Sequence, residues 1–323
     1  MRFRHDRRRF LALSGAACLA APALARGAPA LAHIEGGAFG TGWRISLPDV
    51  AETGSLRMRV ENLLADLDLA FSPWRGDSAI SRFNSGAARD MAVSPEIAEV
   101  TREALAVADA SEGRFDPTVG PLVARWGFGP IHQGRAGGWQ GLAADDRHIS
   151  KANPALTLDL CGIAKGHALD RVTALLLDGG HDHFLADLGG ELAARGRHPS
   201  GRIWQVGIED PRREATSLAG VLLLDGMAVA TSGDRANGYD IGGRRFSHII
   251  DPTSGEPVES RLASVSVRGA TARQADGWAT ALMAAGDAGP ELAKRQGLPA
   301  LFLFREGGGL RRAVTGRFMQ HLV

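Results

Sequence analysis

The chain has 323 residues, 44% of them hydrophobic and 6% aromatic, with 37 Lys and Arg against 36 Asp and Glu for a formal net charge of +1. That near balance excludes the basic footprint of a nucleic-acid-binding protein. With only two cysteines there is no disulfide framework and no cysteine-built metal site, so a packed core must carry the stability.

In chain order, the first feature is an export signal. Arg7, Arg8 and Arg9 lead through Phe10 and Leu11 into the apolar run 13–24, and Ala23-Leu24-Ala25 supplies a small-residue cleavage site. This is the twin-arginine pattern. Residues 1–25 are therefore expected to be a signal peptide and residues 26–323 one mature domain in the periplasm. Removing 1–25 takes away five Arg and one Asp, which turns the charge from +1 to −3, and takes Cys18 with it, leaving Cys161 as the only thiol. Nothing after residue 25 is apolar for long enough to span a membrane, and no repeat or low-complexity block divides the remainder.

Strand-like segments at 43–47, 157–160, 203–208, 219–224, 263–267 and 300–304 are interspersed with helical ones. In 58–71, Val60, Leu63, Leu64 and Leu67 fall on one stripe. Ser94 and Pro95 give a serine N-cap and a first-position proline to a helix whose apolar face runs through Ile97, Val100, Ala104 and Ala108. Segments 163–177 and 275–285 complete the helices. The pattern is α+β, with mixed sheets and flanking helices. The strands do not recur in βαβ order, and no Gly-x-Gly-x-x-Gly follows a strand into a helix, which disfavours a Rossmann domain. Walker A, His-Glu-x-x-His, Gly-x-Ser-x-Gly and Cys-x-x-Cys sequences are also absent, which removes the common nucleotide, zinc and serine-hydrolase classes.

Two segments more than a hundred residues apart carry the strongest chemistry. In 159–166, Asp159 closes a predicted strand, Gly162 follows, and Lys165 sits early in the next helix. The aspartate can accept from a heterocycle N–H, the Gly162 carbonyl can coordinate a cation, and the lysine can pair with a phosphate. An N-capping aspartate with a solvated lysine is the other reading. Asp276 and Thr280 are spaced i, i+4, which sets a carboxylate and a hydroxyl on one helix face, a donor pair suited to magnesium. A threonine bonded to its own backbone is the alternative there. Together the two segments read as halves of one magnesium and diphosphate site. His248 enters the turn 251–257 from a strand and can take a proton from an attacking hydroxyl or orient a phosphate, or it is structural. Residues 230–234 offer clustered hydroxyls and N–H groups. Aromatic side chains in 71–74, 113–122 and 126–129 can cover a flat ring or fill the core.

These residues resemble the ApbE family, the FAD:protein FMN transferases. The resemblance runs from Phe39-Gly40-Thr41 to about Gly286 and rests on motifs that occur in the family's order: Ser78 to Asn84, Phe-Asp-x-Thr-Val-Gly-Pro-Leu at 115–122, Asp-Leu-x-Gly-Ile-Ala-Lys-Gly at 159–166, Asp187 to Glu191, His-Ile-Ile-Asp-Pro at 248–252, and Ala-Asp-x-x-x-Thr at 275–280. It implies a T-fold-like α+β architecture, FAD in a cleft, and Mg2+ on the diphosphate held by Asp276, Thr280 and the Gly162 carbonyl. It also implies cofactor contacts from Phe39, Trp74, Phe115, Asp116, Thr118, Asp159, Lys165, His248 and Ile249. His248 and Asp276 are the expected catalytic residues. Phe39 stands where the family usually has methionine, Cys161 where it usually has serine, and Ala279 where some members carry another acid.

The implied reaction is Mg-dependent transfer of the FMN moiety of FAD to a threonine hydroxyl of a recipient redox protein, with release of AMP. The expected recipient belongs to a membrane-bound or periplasmic electron-transfer system. A flavin carrier without transferase activity and an FAD pyrophosphatase giving FMN and AMP are the alternatives.

Overall fold

The computed structural model describes residues 31–48, 53–212, 215, 217–242 and 244–323; the predicted export signal lies outside them. In chain order the strands are β1 (Leu31–Ala38), β2 (Thr41–Pro48), β3 (Asp90–Ala92), β4 (Leu142–Ala144), β5 (His148–Lys151), β6 (Phe184–Leu188), β7 (Glu191–Arg195), β8 (Trp204–Glu209), β9 (Leu218–Leu224), β10 (Ala228–Gly233), β11 (Gly238–Ile241), β12 (Arg244–Ser247), β13 (Leu262–Gly269), β14 (Ala300–Glu306) and β15 (Gly309–Thr315). The helices are α1 (Thr53–Phe71), α2 (Ala79–Ser85), α3 (Pro95–Ala110), α4 (Gly120–Arg125), α5 (Cys161–Asp178), α6 (Ala272–Ala284) and α7 (Gly289–Arg295).

The frame is an eight-stranded sheet in the order β1-β2-β6-β7-β10-β13-β14-β15, antiparallel at every pairing. Alternation along its strands feeds two cores. On β14, Ala300, Phe302 and Phe304 join the larger core with α1, α3, α5 and α6, whereas Leu301 and Leu303 face the other way, onto the β8–β9 hairpin and Phe318. The sheet is buried on both sides. This is the α+β architecture the sequence predicts.

The helices follow from their apolar spacing. Val60, Leu64 and Leu67 are buried on α1 together with Leu56 and Phe71, while Leu63 is only partly buried at the edge of that stripe. Ser94 caps α3 as expected, its Oγ accepting from the Ile97 N–H at 3.3 Å with Pro95 opening the helix.

Several boundaries shift by a few residues, α1 starting at Thr53 rather than at 58, and two differences bear on the site. Residues 157–160 form no strand. The Asn84 side chain takes the place of a neighbouring strand: its Nδ2 donates to the Leu158 carbonyl at 2.8 Å and its Oδ1 accepts from the Leu158 N–H at 2.7 Å. The Asp159 N–H goes to the Pro117 carbonyl at 2.7 Å, so the segment is extended and satisfied without a ladder. Helix α6 starts at Ala272 rather than at 275, because Thr271 is its N-cap, accepting from the Gln274 N–H at 3.2 Å. Asp276 therefore lies in the second turn of α6.

Helices α5 and α6 run antiparallel and are joined by three polar rungs. Asp170 on α5 receives the Ala272 and Arg273 N–H groups at 2.7 and 2.9 Å. One turn back, the Gly166 N–H donates to Asp276 Oδ2 at 2.9 Å, and one turn further the Thr280 hydroxyl donates to the Gly162 carbonyl at 3.2 Å. Such contact between a side chain and the opposite backbone requires the helices to be close, and the glycines permit it. A Cβ on Gly166 would lie 2.3 Å from the Ala272 carbonyl oxygen and 2.7 Å from Asp276 Cβ. Gly166→Ala is accordingly expected to destabilise the fold by about 3 kcal/mol, as overpacking against backbone does, read as a melting temperature lower by roughly 6–10 °C. Gly54→Ala in α1, where a new Cβ meets nothing within 4 Å, should leave the melting temperature unchanged or slightly raised.

Candidate functional site

The site is built where the N-terminal end of α5 crosses α6. Leu160 leads into α5 without a side-chain cap of its own. Asp159 supplies the cap from one position earlier, its Oδ1 accepting from the Cys161 N–H at 2.9 Å. The capping aspartate considered from the sequence is thus present. The solvated lysine is not, because Lys165 Nζ donates to Glu191 Oε1 at the start of β7. Thr280 likewise does not bond its own backbone; its hydroxyl crosses to Gly162. Gly162, Asp276 and Thr280 are brought together from segments more than a hundred residues apart.

The loop 113–120 closes on this crossing. A Cβ on Gly162 would stand 3.0 Å from the Phe115 ring and 2.9 Å from Thr280 Cγ2, so Phe115, buried, packs directly beside the rung. Asp116 Oδ1 accepts from both the N–H and the hydroxyl of Thr118 at 2.7 Å, and Thr118 Oγ1 accepts from the Gly137 N–H at 3.0 Å. Asp116 and Thr118, both buried, therefore hold the loop that Phe115 and Pro117 press against 159–162. Phe39 occupies the β1–β2 turn with φ of 51° and packs on the main core. That turn adjoins the β6–β7 turn, where the Gly189 N–H donates to the Gly42 carbonyl at 3.0 Å, so Phe39 lies at the sheet end that carries Glu191.

His248 and Ile249 sit one loop further out. Ile249 belongs to the main core, whereas His248 is half-buried, with Nδ1 3.1 Å from the Asn237 carbonyl and its ring edge-on to Phe128 at 6.3 Å. Phe128 stacks on Tyr239 at 5.2 Å, Tyr239 on Phe246 at 5.7 Å, and Phe246 on Trp126 at 5.4 Å. The aromatics of 126–129 thus build a ladder against the β11–β12 hairpin. Arg114, 3.6 Å from Asp251, bridges this unit to the loop of Phe115 and Asp116. Trp74 is 67% exposed and makes no ring contact among the described residues.

Charge is concentrated at the crossing. Burial raises the pKa of Asp159, and it does the same for Asp276 against the opposing pull of the Lys165 ammonium. Burial also pushes the Glu191 carboxyl up to about 7, helped by the Asp276 charge and opposed by Lys165. Burial works against the Lys165 charge, but Glu191 and Asp276 outweigh it and its pKa rises. Cys161 is an exposed residue, and its dense surroundings together with the Asp159 and Asp276 carboxylates keep the thiol neutral.

The donor set suits a hard cation. Asp276 Oδ2 takes the Gly166 N–H, and among the described residues its Oδ1 accepts no hydrogen bond; the Gly162 carbonyl and the Thr280 hydroxyl lie in the same crossing. One carboxylate, one hydroxyl and one carbonyl fit Mg2+, which completes its octahedron with waters and phosphate oxygens. No group of three or more His, Cys, Asp or Glu side chains able to hold a metal occurs among the described residues, so the shell would be finished by those other oxygens. Glu191 and Asp170 had no role in the sequence reading. Glu191 was visible only as the end of the Asp187 to Glu191 motif, and Asp170 only as one more turn, i+4, beyond Gly166 on the face of α5 that meets α6.

Comparison with known proteins gives consistent results. The sequence model of the ApbE family matches residues 39–302. A FAD:protein FMN transferase of Salmonella typhimurium is 33% identical over 95% of this chain and 93% of its own length, and one of Escherichia coli K12 is 32% identical over 90% and 89%. Among solved structures, the flavin transferase ApbE from Vibrio cholerae superposes with a TM-score of 0.83 at 32% identity, covering 91% of this chain and 99% of that one. The apo form of Pseudomonas stutzeri flavinyl transferase ApbE gives 0.80 at 35% identity, over 90% and 96%.

A raised carboxyl pKa in the fold means the folded state holds the proton more tightly than the unfolded chain. Its stabilising effect is complete below the ordinary carboxylate range and is lost as pH rises through the folded pKa. Asp276→Asn keeps an oxygen for the Gly166 N–H and removes the buried charge. Its melting temperature at pH 8 is expected to match or exceed the parent's by roughly 2–4 °C, with the two converging near pH 4, as followed by thermal melts.

Proposed function

This chain belongs to the ApbE family, and we propose that it transfers the FMN moiety of FAD to a threonine hydroxyl of a recipient redox protein in a magnesium-dependent reaction that releases AMP. The observation that supports this most directly is the convergence of Gly162, Lys165, Asp276 and Thr280 on one helix crossing. It offers oxygen donors for a cation beside a fixed ammonium, which is the charge pattern that a diphosphate requires.

Asp276, Thr280 and the Gly162 carbonyl would hold Mg2+, which would supply charge neutralisation on the FAD diphosphate. Lys165 adds a cation on the same side, and the Phe115 loop shields the crossing from water. The recipient threonine Oγ attacks the FMN-side phosphorus, a new P–O bond forms there, the bond to the bridging oxygen breaks, and AMP leaves with that oxygen. His248 takes the hydroxyl proton. Most of the rate enhancement in such a reaction comes from positioning and electrostatics. The twin-arginine pattern of residues 1–25 supports a periplasmic location, and with it a membrane-bound or periplasmic electron-transfer protein as recipient.

Incubation with FAD, Mg2+ and a recipient domain bearing the acceptor threonine should give covalent flavin fluorescence on the recipient and an equimolar amount of AMP. Free FMN plus AMP would make the protein a pyrophosphatase, and unchanged FAD would make it a carrier. Asp276→Asn should still fold yet lose metal-dependent FAD retention on gel filtration. His248→Ala should bind FAD and slow transfer by roughly 10²-fold or more, the usual worth of a general base; full activity across neutral pH with FAD still bound would remove that role from His248.

A further inference from the structure

We propose that Glu191 is a positioning residue that tethers the Lys165 ammonium away from Asp276, so that the α6 carboxylate stays open to a divalent cation. This rests on the reading of the α5–α6 crossing as a metal seat. Lys165 lies in the field of two buried carboxylates, Glu191 and Asp276, and its Nζ donates to the first. Glu191 is delivered from the sheet. It opens β7 directly after Gly189 and Gly190, whose φ values of 66° and 102° suit glycine, and the turn is closed by the Gly190 N–H donating to Asp187 Oδ1 at 3.0 Å. The ammonium by contrast comes on a flexible four-carbon stem.

Without the glutamate charge, the half-buried Lys165 ammonium has one strong partner left. A half-buried cation that loses its partner is drawn toward the remaining carboxylate, and movement toward Asp276 would place N–H donors on the oxygen that the Gly166 rung leaves available. A lysine seated there excludes a second cation. Glu191 also carries a sign of a role beyond packing: its Oε2 is buried and, among the described residues, has no hydrogen-bond partner. A group held only for shape would not need a second, unsatisfied oxygen, whereas a counter-charge for Lys165 requires a carboxylate.

The test is a Mn2+ titration followed by electron paramagnetic resonance of the free ion, on the parent, Glu191→Gln, Glu191→Asp, Lys165→Met and the double variant Glu191→Gln/Lys165→Met, with thermal melts to confirm folding. Glu191→Gln keeps an oxygen acceptor and loses the charge; it should weaken Mn2+ binding by roughly tenfold, about the effect of one pKa unit of lost interaction. Glu191→Asp should fall between that and the parent, and carries the comparison if glutamine does not fold. In the Lys165→Met background, Glu191→Gln should have no further effect, because there is no ammonium to restrain. In transfer assays the half-saturating Mg2+ concentration should rise by a similar factor for Glu191→Gln while the rate at saturating Mg2+ is restored. Parent-like Mn2+ binding by Glu191→Gln overturns the tether, as does an equal loss in the Lys165→Met background, which would mean plain charge removal. If the parent itself takes up no Mn2+, the metal seat falls and the tether with it.

Discussion

The separation of α5 and α6 is the constraint on which the site depends. Gly162, Gly166 and Asp170 lie one turn apart on α5 and meet Thr280, Asp276 and the Ala272–Arg273 backbone on α6. Each rung joins a side chain of one helix to the main chain of the other. Main chain moves far less than rotamers do, so the positions of the Asp276 carboxylate and the Thr280 hydroxyl are set by how closely two helix axes approach. The missing Cβ atoms at 162 and 166 set that approach. Both helices are fastened to one face of the eight-stranded sheet, and that sheet is covered on its other face as well. The crossing is therefore anchored on rigid elements, as a site needing sub-ångström placement should be.

Electrostatics at the crossing oppose this packing. Asp159, Asp276 and Glu191 are all buried, and burial raises the pKa of each, while Lys165 is the cation among them. Folding alone gains nothing from that arrangement, since buried charge lacking full compensation is unfavourable. Carboxylates whose neutral-pH charge is a burden on the fold would become favourable beside a divalent cation, so in the proposed function ligand binding and stability pull on the same groups in opposite directions. Cys161, its thiol held neutral by its dense surroundings and by the Asp159 and Asp276 carboxylates, adds no charge to that balance.

Legibility in the sequence followed the range of the interactions. Local rules were enough for the stripe of α1 and for the Ser94 cap with Pro95, because each depends on neighbours within a turn. The extended piece 157–160 reads as a strand by composition, yet its hydrogen-bond partner is the side chain of Asn84, 74 residues away, and no periodicity reports such a substitution. The i, i+4 spacing of Asp276 and Thr280 gave their common face but left open whether the hydroxyl turned inward or to its own helix. That choice is made by Gly162 across the gap. Glu191 was part of a motif without a function, because its meaning lies in Lys165, 26 residues earlier. The six ordered motifs carried the family, whereas the roles inside them needed three dimensions.

The site divides into a fixed part and an outlying part. Asp159, Gly162, Lys165, Asp276 and Thr280 belong to the helix crossing, while His248 rides beside a two-stranded hairpin whose contacts with the rest include a stack of aromatic rings and the hydroxyl of Tyr239 donating to the Trp126 carbonyl at 3.2 Å, with the Arg114–Asp251 bridge just beyond it. The loop of Phe115 and Asp116 connects the two, since it packs on Gly162 at one end and carries Arg114 at the other. The proposed reaction between a bound dinucleotide and a second protein would use this asymmetry. The electrophilic phosphorus would have to be held still, which suits the crossing, whereas the attacking hydroxyl would arrive on another chain and have to be met by a group at the surface. His248, half-buried on the hairpin side, would satisfy the second demand as the proposed proton acceptor without loosening the first.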